Sequence, residues 1–281
     1  MRHAITLAAI ASLPALAISC SLFTSLDGLQ NGDDGGADTS IESSAADVGV
    51  DSPTSLDAGP VDSGLALLSC NADGLVAYWP MDEGSGLTIT DCHQGFVGVL
   101  QGGTEPTWGT RADGGNVEFS SDGNIAISIE TALQLGGPFT IDGWFRSDVA
   151  PSSYASMFWS FDNMTGFEVT HSSDGTLYSQ IGFSDAAIRA DFGQPPYGTW
   201  QHLTAVFEPG INLRVYVNGV IMQTVTMLEN GDPLPNVPAA PNNETMYMGP
   251  LFSATWTGGI DDVRIFARVL TDDEIAFLAA H

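Results

Sequence analysis

An all-β fold, a sandwich or barrel, is predicted for residues 70–281, and three observations predict it. Short runs of alternating apolar and polar residues recur there, separated by Gly, Pro, Asn and Asp, as strands joined by tight turns do. Two of the runs, Leu213–Val217 and Val220–Val225, flank Asn218-Gly219, whose two residues tolerate the positive φ angles of a type I′ hairpin. Only the end of the chain looks helical. Thr271, with Glu274 three places on, makes a capping box ahead of Ile275, Phe277 and Leu278.

The elements follow in order. Leu75–Trp79 is the first strand. Val117–Ser120 runs through the turn Ser121-Asp122-Gly123-Asn124 into the strand Ile125–Ile127. Phe139–Arg146 is apolar on both faces and belongs in the middle of a sheet. In Ser156–Phe161 strict alternation puts Met157, Trp159 and Phe161 on one face. Trp200–Phe207 turns at Glu208-Pro209-Gly210 into the Asn218-Gly219 hairpin. Leu234–Pro241 carries three prolines and must be a loop. Gly258–Phe266 is the last strand, followed by a short turn and the helix cap at Thr271.

Ahead of this domain, residues 1–19 read as a signal segment. Ala4 to Ile18 is almost wholly apolar behind Arg2 and His3, short for a membrane span and suited to a signal-peptide core. Ala17-Ile18-Ser19-Cys20 resembles a bacterial lipobox, which makes Cys20 a lipidation candidate. It departs from that pattern in having Ala17, not Leu, three places before the cysteine; ordinary secretory cleavage is the alternative. Residues 20–69 read as a disordered tether: positions 21–69 hold nine acids, no Lys or Arg, and one aromatic, Phe23, too little apolar surface to offset the entropy of ordering. If Cys20 is lipidated, Cys70 and Cys92 remain, to be bridged in an oxidising compartment or left as buried thiols. With no C-x-x-C, zinc is not expected.

The full chain has 281 residues, 43% hydrophobic, with 34 Asp and Glu against seven arginines and no lysine, a formal charge of −27. That balance excludes phosphate-neutralising nucleic-acid binding and docking on anionic lipid, so a membrane would be reached only through a lipid anchor. It favours solubility and divalent cations.

Five segments, Tyr78–Gly84, Phe139–Ile141, Trp200–Leu203, Leu213–Gly219 and Ile260–Phe266, occur in an order that resembles LamG-like domains of the concanavalin A-like lectin/glucanase superfamily. The resemblance implies a two-sheet antiparallel jelly-roll sandwich with adjoining termini. It also implies a structural calcium ion at the seam, with Asp261 as one ligand and Asp82 or Glu83 at the opposite terminus; turn and strand-end carboxylates in water are the alternative. The Asp122-Gly123-Asn124 turn is a weaker cation candidate.

Laminarinase-like hydrolases of that superfamily carry a Glu-x-Asp-x-Glu strand, which aligns acids on one face. None is present. Glu168 stands alone, Asp272-Asp273-Glu274 complements a helix dipole, and His171 or His202 could join a Ser-His-Asp site only through unremarkable pairings. His202 reads as a packed strand residue. Glycan recognition needs exposed aromatics. Trp108, Tyr154, Trp159, Tyr197 and Trp256 are available, but Trp144, Trp159 and Trp200 lie in strand patterns and read as core. Trp108 and Trp256 have loop-like surroundings and are the ligand-binding candidates. The expected function is non-catalytic binding of carbohydrate or a cell-surface protein by an exported, surface-tethered domain. A glycoside hydrolase or lyase, and an adhesion domain without small ligand, are the alternatives.

Overall fold

The computed structural model describes residues 63–281 apart from 129–132, 134, 136, 163, 238 and 240–244. The signal segment, Cys20 and the tether up to residue 62 lie outside the described residues. Two antiparallel sheets form a jelly-roll sandwich. The first sheet runs β14 (Val220–Val225), β13 (Asn212–Val217), β12 (Gln201–Glu208), β7 (Phe139–Ser147), β16 (Gly258–Phe266), β5 (Gly114–Phe119) and β4 (Thr107–Arg111), with β1 (Leu75–Trp79) also on β16. The second runs β11 (Ala187–Gly193), β10 (Leu177–Gly182), β9 (Thr165–Ser172), β8 (Tyr154–Asp162), β15 (Met246–Leu251), β6 (Asn124–Ile127), β3 (Val97–Gln101) and β2 (Thr88–Thr90).

Strand β7 lies between β12 and β16, central as its two apolar faces require. The 121–124 turn carries the chain from β5 in one sheet to β6 in the other. The Asn218-Gly219 hairpin joins β13 to β14 with φ of 49° and 76° at its two turn residues, the type I′ signature.

Between the sheets Ile141, Phe145, Ala205, Val215 and Ile265 meet Phe158, Phe167, Val169, Ile181 and Ile188. Phe167 stacks on Phe158 at 5.0 Å and sits 4.9 Å from Phe139. Each fully buried aromatic contributes roughly 1.5–3 kcal/mol. One expected pattern breaks here: β8 has a register shift between Ser156 and Phe158. The extra residue lets both Met157 and Phe158 join the core, and Trp159 therefore turns outward, away from Met157.

A second apolar layer covers the outer face of the first sheet. Helix α2 (Asp272–Leu278) begins at the expected capping box, with both Thr271–Glu274 bonds formed. Helix α1 (Ser63–Leu67) packs beside it, so the fold begins before residue 70 and overlaps the segment read as tether. Leu67, Tyr78, Val206, Tyr216, Phe266, Leu270, Ile275 and Leu278 close this layer. Composition misread 63–69 because the apolar surface it buries, at Leu67 and in part at Leu68, packs with residues of α2 far along the chain. Cys70 and Cys92 are disulfide-bonded, Cα atoms 5.4 Å apart. Beside them Asp91 accepts from the backbone N–H of Tyr78 at 2.7 Å, His93 at 2.9 Å and Gln94 at 2.7 Å.

Candidate ligand-binding face

Residues paired directly across strands share a face, and the registers of the second sheet trace one row across it. Arg189 pairs with Gln180, Gln180 with Glu168, Glu168 with Trp159, Trp159 with Tyr247, Tyr247 with Ala126 and Ala126 with Val99. The adjacent row holds Asp191, Tyr178, Thr170, Ser156 and Gly249. Neighbours Phe167 and Val169 point into the core, so these rows form the outward face.

Its centre is a polar floor. Thr170 Oγ1 donates to Glu168 Oε2 at 2.8 Å, and the Ser156 and Thr170 hydroxyls lie 2.6 Å apart. Tyr178 also hydrogen-bonds the Glu168 carboxyl. Glu168 is 5% exposed although it faces outward. Burial pushes its carboxyl up to about 7, against the pull of Thr170, Tyr178 and Arg189. Aromatic rings stand over and around this floor. Trp159 meets Tyr247 at 5.8 Å and takes Phe252 edge-on at 5.6 Å, and the Arg189 guanidinium lies 3.9 Å from the Tyr178 ring centre.

Phe252 is the outermost group, 72% exposed, and Tyr154, on the strand paired with Leu251, is 40% exposed. Phe252 and Ser253 take φ of 53° and 60°. A bulky residue in that region is strained by about 1–3 kcal/mol, and such strain concentrates at ligand sites.

The expected binding residues sit elsewhere. Trp256 is 1% exposed, stacked on Phe145 at 5.0 Å, and its Nε1 donates to Ser147 Oγ at 2.8 Å. The glycine that made its surroundings look loop-like, Gly258, is where a Cβ would collide with the indole. Trp256 is a core residue and not a ligand platform. Trp108 is half-buried against the core on β4, and its Nε1 donates to the Gly86 carbonyl at 2.9 Å. Trp144 and Trp200, read as core, are half-buried under Arg111 and Arg146, at 4.5 and 5.1 Å. Trp159 is buried as expected, but on the outward face, where the β8 bulge puts it. Tyr197 is exposed, 6.3 Å from the buried His171 ring. Burial holds the His171 imidazole below its usual range.

His202 is fully buried as expected for a packed residue. Its Nε2 lies 3.2 Å from Asp142 Oδ2, and its Nδ1 lies 3.5 Å from Thr204 Oγ1. All three residues are fully buried, closed to solvent and to any substrate in it.

The seam does bring Asp82 and Asp261 together, in a cleft of about 160 Å³ shared with Tyr78, Arg111, Asp262 and Arg264. The donor set does not fit calcium. Arg111 Nε donates to Asp261 Oδ2 at 2.5 Å and its Nη2 to Asp262 Oδ2 at 2.6 Å. Asp261 Oδ1 takes the Asp262 N–H, and Asp82 Oδ1 takes the Gly115 N–H at 2.6 Å. Glu83 faces away, accepting from Thr90 N at 2.7 Å. A hard divalent ion needs six to eight oxygens free to turn toward it, and here a guanidinium already fills the place. Burial and Asp262 alongside push the Asp261 carboxyl up to about 7, against Arg111. Asp122 is turn chemistry: its Oδ1 accepts from Thr104 N at 2.9 Å. Among the described residues no group of three or more His, Cys, Asp or Glu could hold a metal ion.

A family model described as the concanavalin A-like lectin/glucanases superfamily matches residues 119–276. No curated protein sequence matches the chain. Solved structures with a similar fold include botulinum neurotoxin type C, which depends on two ganglioside molecules to enter cells, at 16% identity and TM-score 0.59, over 74% of this chain and 51% of that one. The binding domain of botulinum neurotoxin DC in complex with rat synaptotagmin II matches at 15% identity and TM-score 0.59, over 74% of this chain and 51% of that one. The binding domain of Paraclostridial Mosquitocidal Protein 1 does so at 15% identity and TM-score 0.59, over 74% and 52%. The chain thus spans about half the length of these structures, and at this identity the likeness is one of fold.

Proposed function

Since the chain belongs to the concanavalin A-like lectin/glucanase superfamily, we propose that it is a non-catalytic, lectin-like module whose outward second-sheet face binds glycan. One observation carries this reading. Phe252 and Tyr154 project from an aromatic surround whose floor is a satisfied polar cluster of Glu168, Thr170 and Ser156. Apolar ring faces beside a few fixed polar groups are what a sugar, with its C–H and hydroxyl faces, requires. The similar folds that bind gangliosides or synaptotagmin support binding of a glycan or cell-surface partner.

The non-catalytic part rests on Glu168. Glycoside hydrolysis uses two carboxyl groups, about 5–5.5 Å apart in retaining enzymes and about 6.5–9.5 Å in inverting ones. Glu168 is the single acid in β9, β10 and β15 contribute none, and the other acid of the outward rows, Asp191 on β11, is tied to Arg189 at 2.8 Å. Glu168 is locked by Thr170 and Tyr178 and 5% exposed, a position that organises the floor.

The test is a glycan array followed by calorimetry with the full chain, with Phe252→Ala and Tyr154→Ala beside it, and a hydrolysis screen. Binding weakened at least about tenfold by either change supports the reading, since stacking losses run near 1.4 kcal/mol. Binding indifferent to both, or turnover of a bound glycan, overturns it. Export is the second part of the proposal, carried by the apolar segment from Ala4 to Ile18 and by Cys20. Mass spectrometry of the membrane fraction should find a lipid-modified Cys20 at the mature terminus, and Cys20→Ala should abolish membrane association.

A further inference from the structure

We infer that the glycan taken by this face is uncharged, and that sialylated, sulfated or uronic acid-bearing sugars are selected against; the inference rests on the glycan-binding reading above. The argument is an inventory of cations. An acidic sugar is held by a free guanidinium or ammonium, and the sequence contains no lysine.

Six arginines fall among the described residues, and each is already committed to a carboxylate. Arg111 holds Asp261 and Asp262, Arg146 holds Glu118 at 2.7 Å and Asp148 at 2.9 Å, and Arg214 lies 3.5 Å from Asp272. Arg264 lies 3.3 Å from Asp262, and Arg268 holds Glu274 at 2.7 Å. Of the histidines among the described residues, His171 and His202 are buried, and His93 and His281 direct Nδ1 at the carbonyls of Cys70 and Phe277.

The sixth arginine, Arg189, is the cation in the row that carries Glu168. It is engaged twice: its Nε donates to Asp191 Oδ1 at 2.8 Å, and its plane covers Tyr178. Around it the face is acidic, with Glu168, Asp191 and Glu229, the last accepting from Gln180 Nε2 at 3.1 Å. Asp191 takes only the Nε of Arg189, but a sugar carboxylate on the remaining N–H groups would sit beside that acid and share its one cation. Like charges so placed repel. The chain's formal charge of −27 adds a field that lowers the local concentration of anions. A neutral sugar meets none of these costs. It gains the ring faces of Phe252 and Tyr154.

The experiment compares matched pairs of glycans with the full chain at 150 mM and 500 mM NaCl. Each pair is a neutral parent and its sialylated, sulfated or uronic acid derivative, with and without EDTA. The neutral parent should bind at least roughly tenfold more tightly at the lower salt, with the gap narrowing at the higher as repulsion is screened. Asp191→Asn, which releases Arg189, should narrow the gap as well. A derivative bound as tightly as its parent, with or without calcium, overturns the inference while leaving glycan binding in place. A gap unchanged in Asp191→Asn also counts against it. Binding of no glycan at all sinks the glycan reading itself, and this inference with it.

Discussion

Arg111 Nε sits 2.5 Å from Asp261 Oδ2 across 150 residues of sequence, and the same guanidinium reaches Asp262. Two consecutive strand residues would ordinarily face opposite sides of a sheet. Here β16 bulges between Asp261 and Arg264, with Asp262 at φ 52°. The bulge swings both carboxylates toward one arginine. Arg264 extends the network, its Nη2 donating to Tyr78 Oη at 2.9 Å, and Tyr78 Oη in turn donating to Asp262 Oδ1 at 2.6 Å. Two cations thus hold the first strand, the last strand and the edge strand β4 together.

Arg111→Ala should therefore be costly, because it strands two carboxylates in a site where Asp261 and Arg111 are nearly buried. Breaking such a pair costs about 3–5 kcal/mol, a fall in melting temperature on the order of 10 °C for a domain of this size. Calorimetry of the wild type should show no difference between Ca²⁺ and EDTA. The variant frees Asp261 and Asp262 but leaves Asp82 on the Gly115 N–H, too few free oxygens for calcium, and should show none either. A wild-type melting temperature that climbs with calcium would refute the account.

Glu168 makes stability depend on pH. Its carboxyl stands at 4.5 when free and about 7 in the fold. A raised acid favours the folded state when protonated, so this contribution is complete below about pH 4.5 and is lost as pH rises through 7. The size is roughly 2 to 3 kcal/mol. Asp261 is raised to about 7 and adds loss in the same window, so the informative quantity is the difference from Glu168→Gln. Urea melts between pH 4.5 and 7.5 should converge as pH rises, the wild type losing the larger amount. Parallel curves would show that Glu168 does not titrate as its burial requires.

Phe252→Gly separates site from fold. Glycine adopts positive φ freely, and the 72% exposed ring has little packing to lose. The variant should melt at or slightly above the wild-type temperature yet bind glycan more weakly. A drop of several degrees would make Phe252 a structural residue.

Cys70→Ser with Cys92→Ser opens a loop of sequence separation 22, worth about 3 kcal/mol in the chain-entropy account. Chemical denaturation of the double variant should show that loss, and protease sensitivity should rise first around residues 63–93, where the bridge ties α1 to the loop after β1.

What could be read in advance was local. The Asn218-Gly219 turn and the Thr271–Glu274 cap each depend on residues within four positions, and both formed as their chemistry dictates. The Cys70–Cys92 pair was also legible, since few partners existed. The binding face was not. Trp159 is on it because one bulge at Met157 inverts the alternation, and a bulge leaves no mark in a run of apolar residues. Trp256 misled because glycine beside a tryptophan signals a loop and a packing notch equally well. Calcium was expected at Asp261 because nothing near Arg111 in sequence announces a partner 150 residues on.

The pairing of α1 with α2 has a consequence for presentation. Both Ser63 and His281 belong to the helical cap on the back of the first sheet, whereas Phe252 and Tyr154 project from the opposite side of the sandwich. Whatever joins the domain through either end attaches from behind. A bead, a surface or a fused carrier linked there leaves the aromatic side facing outward, as a stamp is held by its handle.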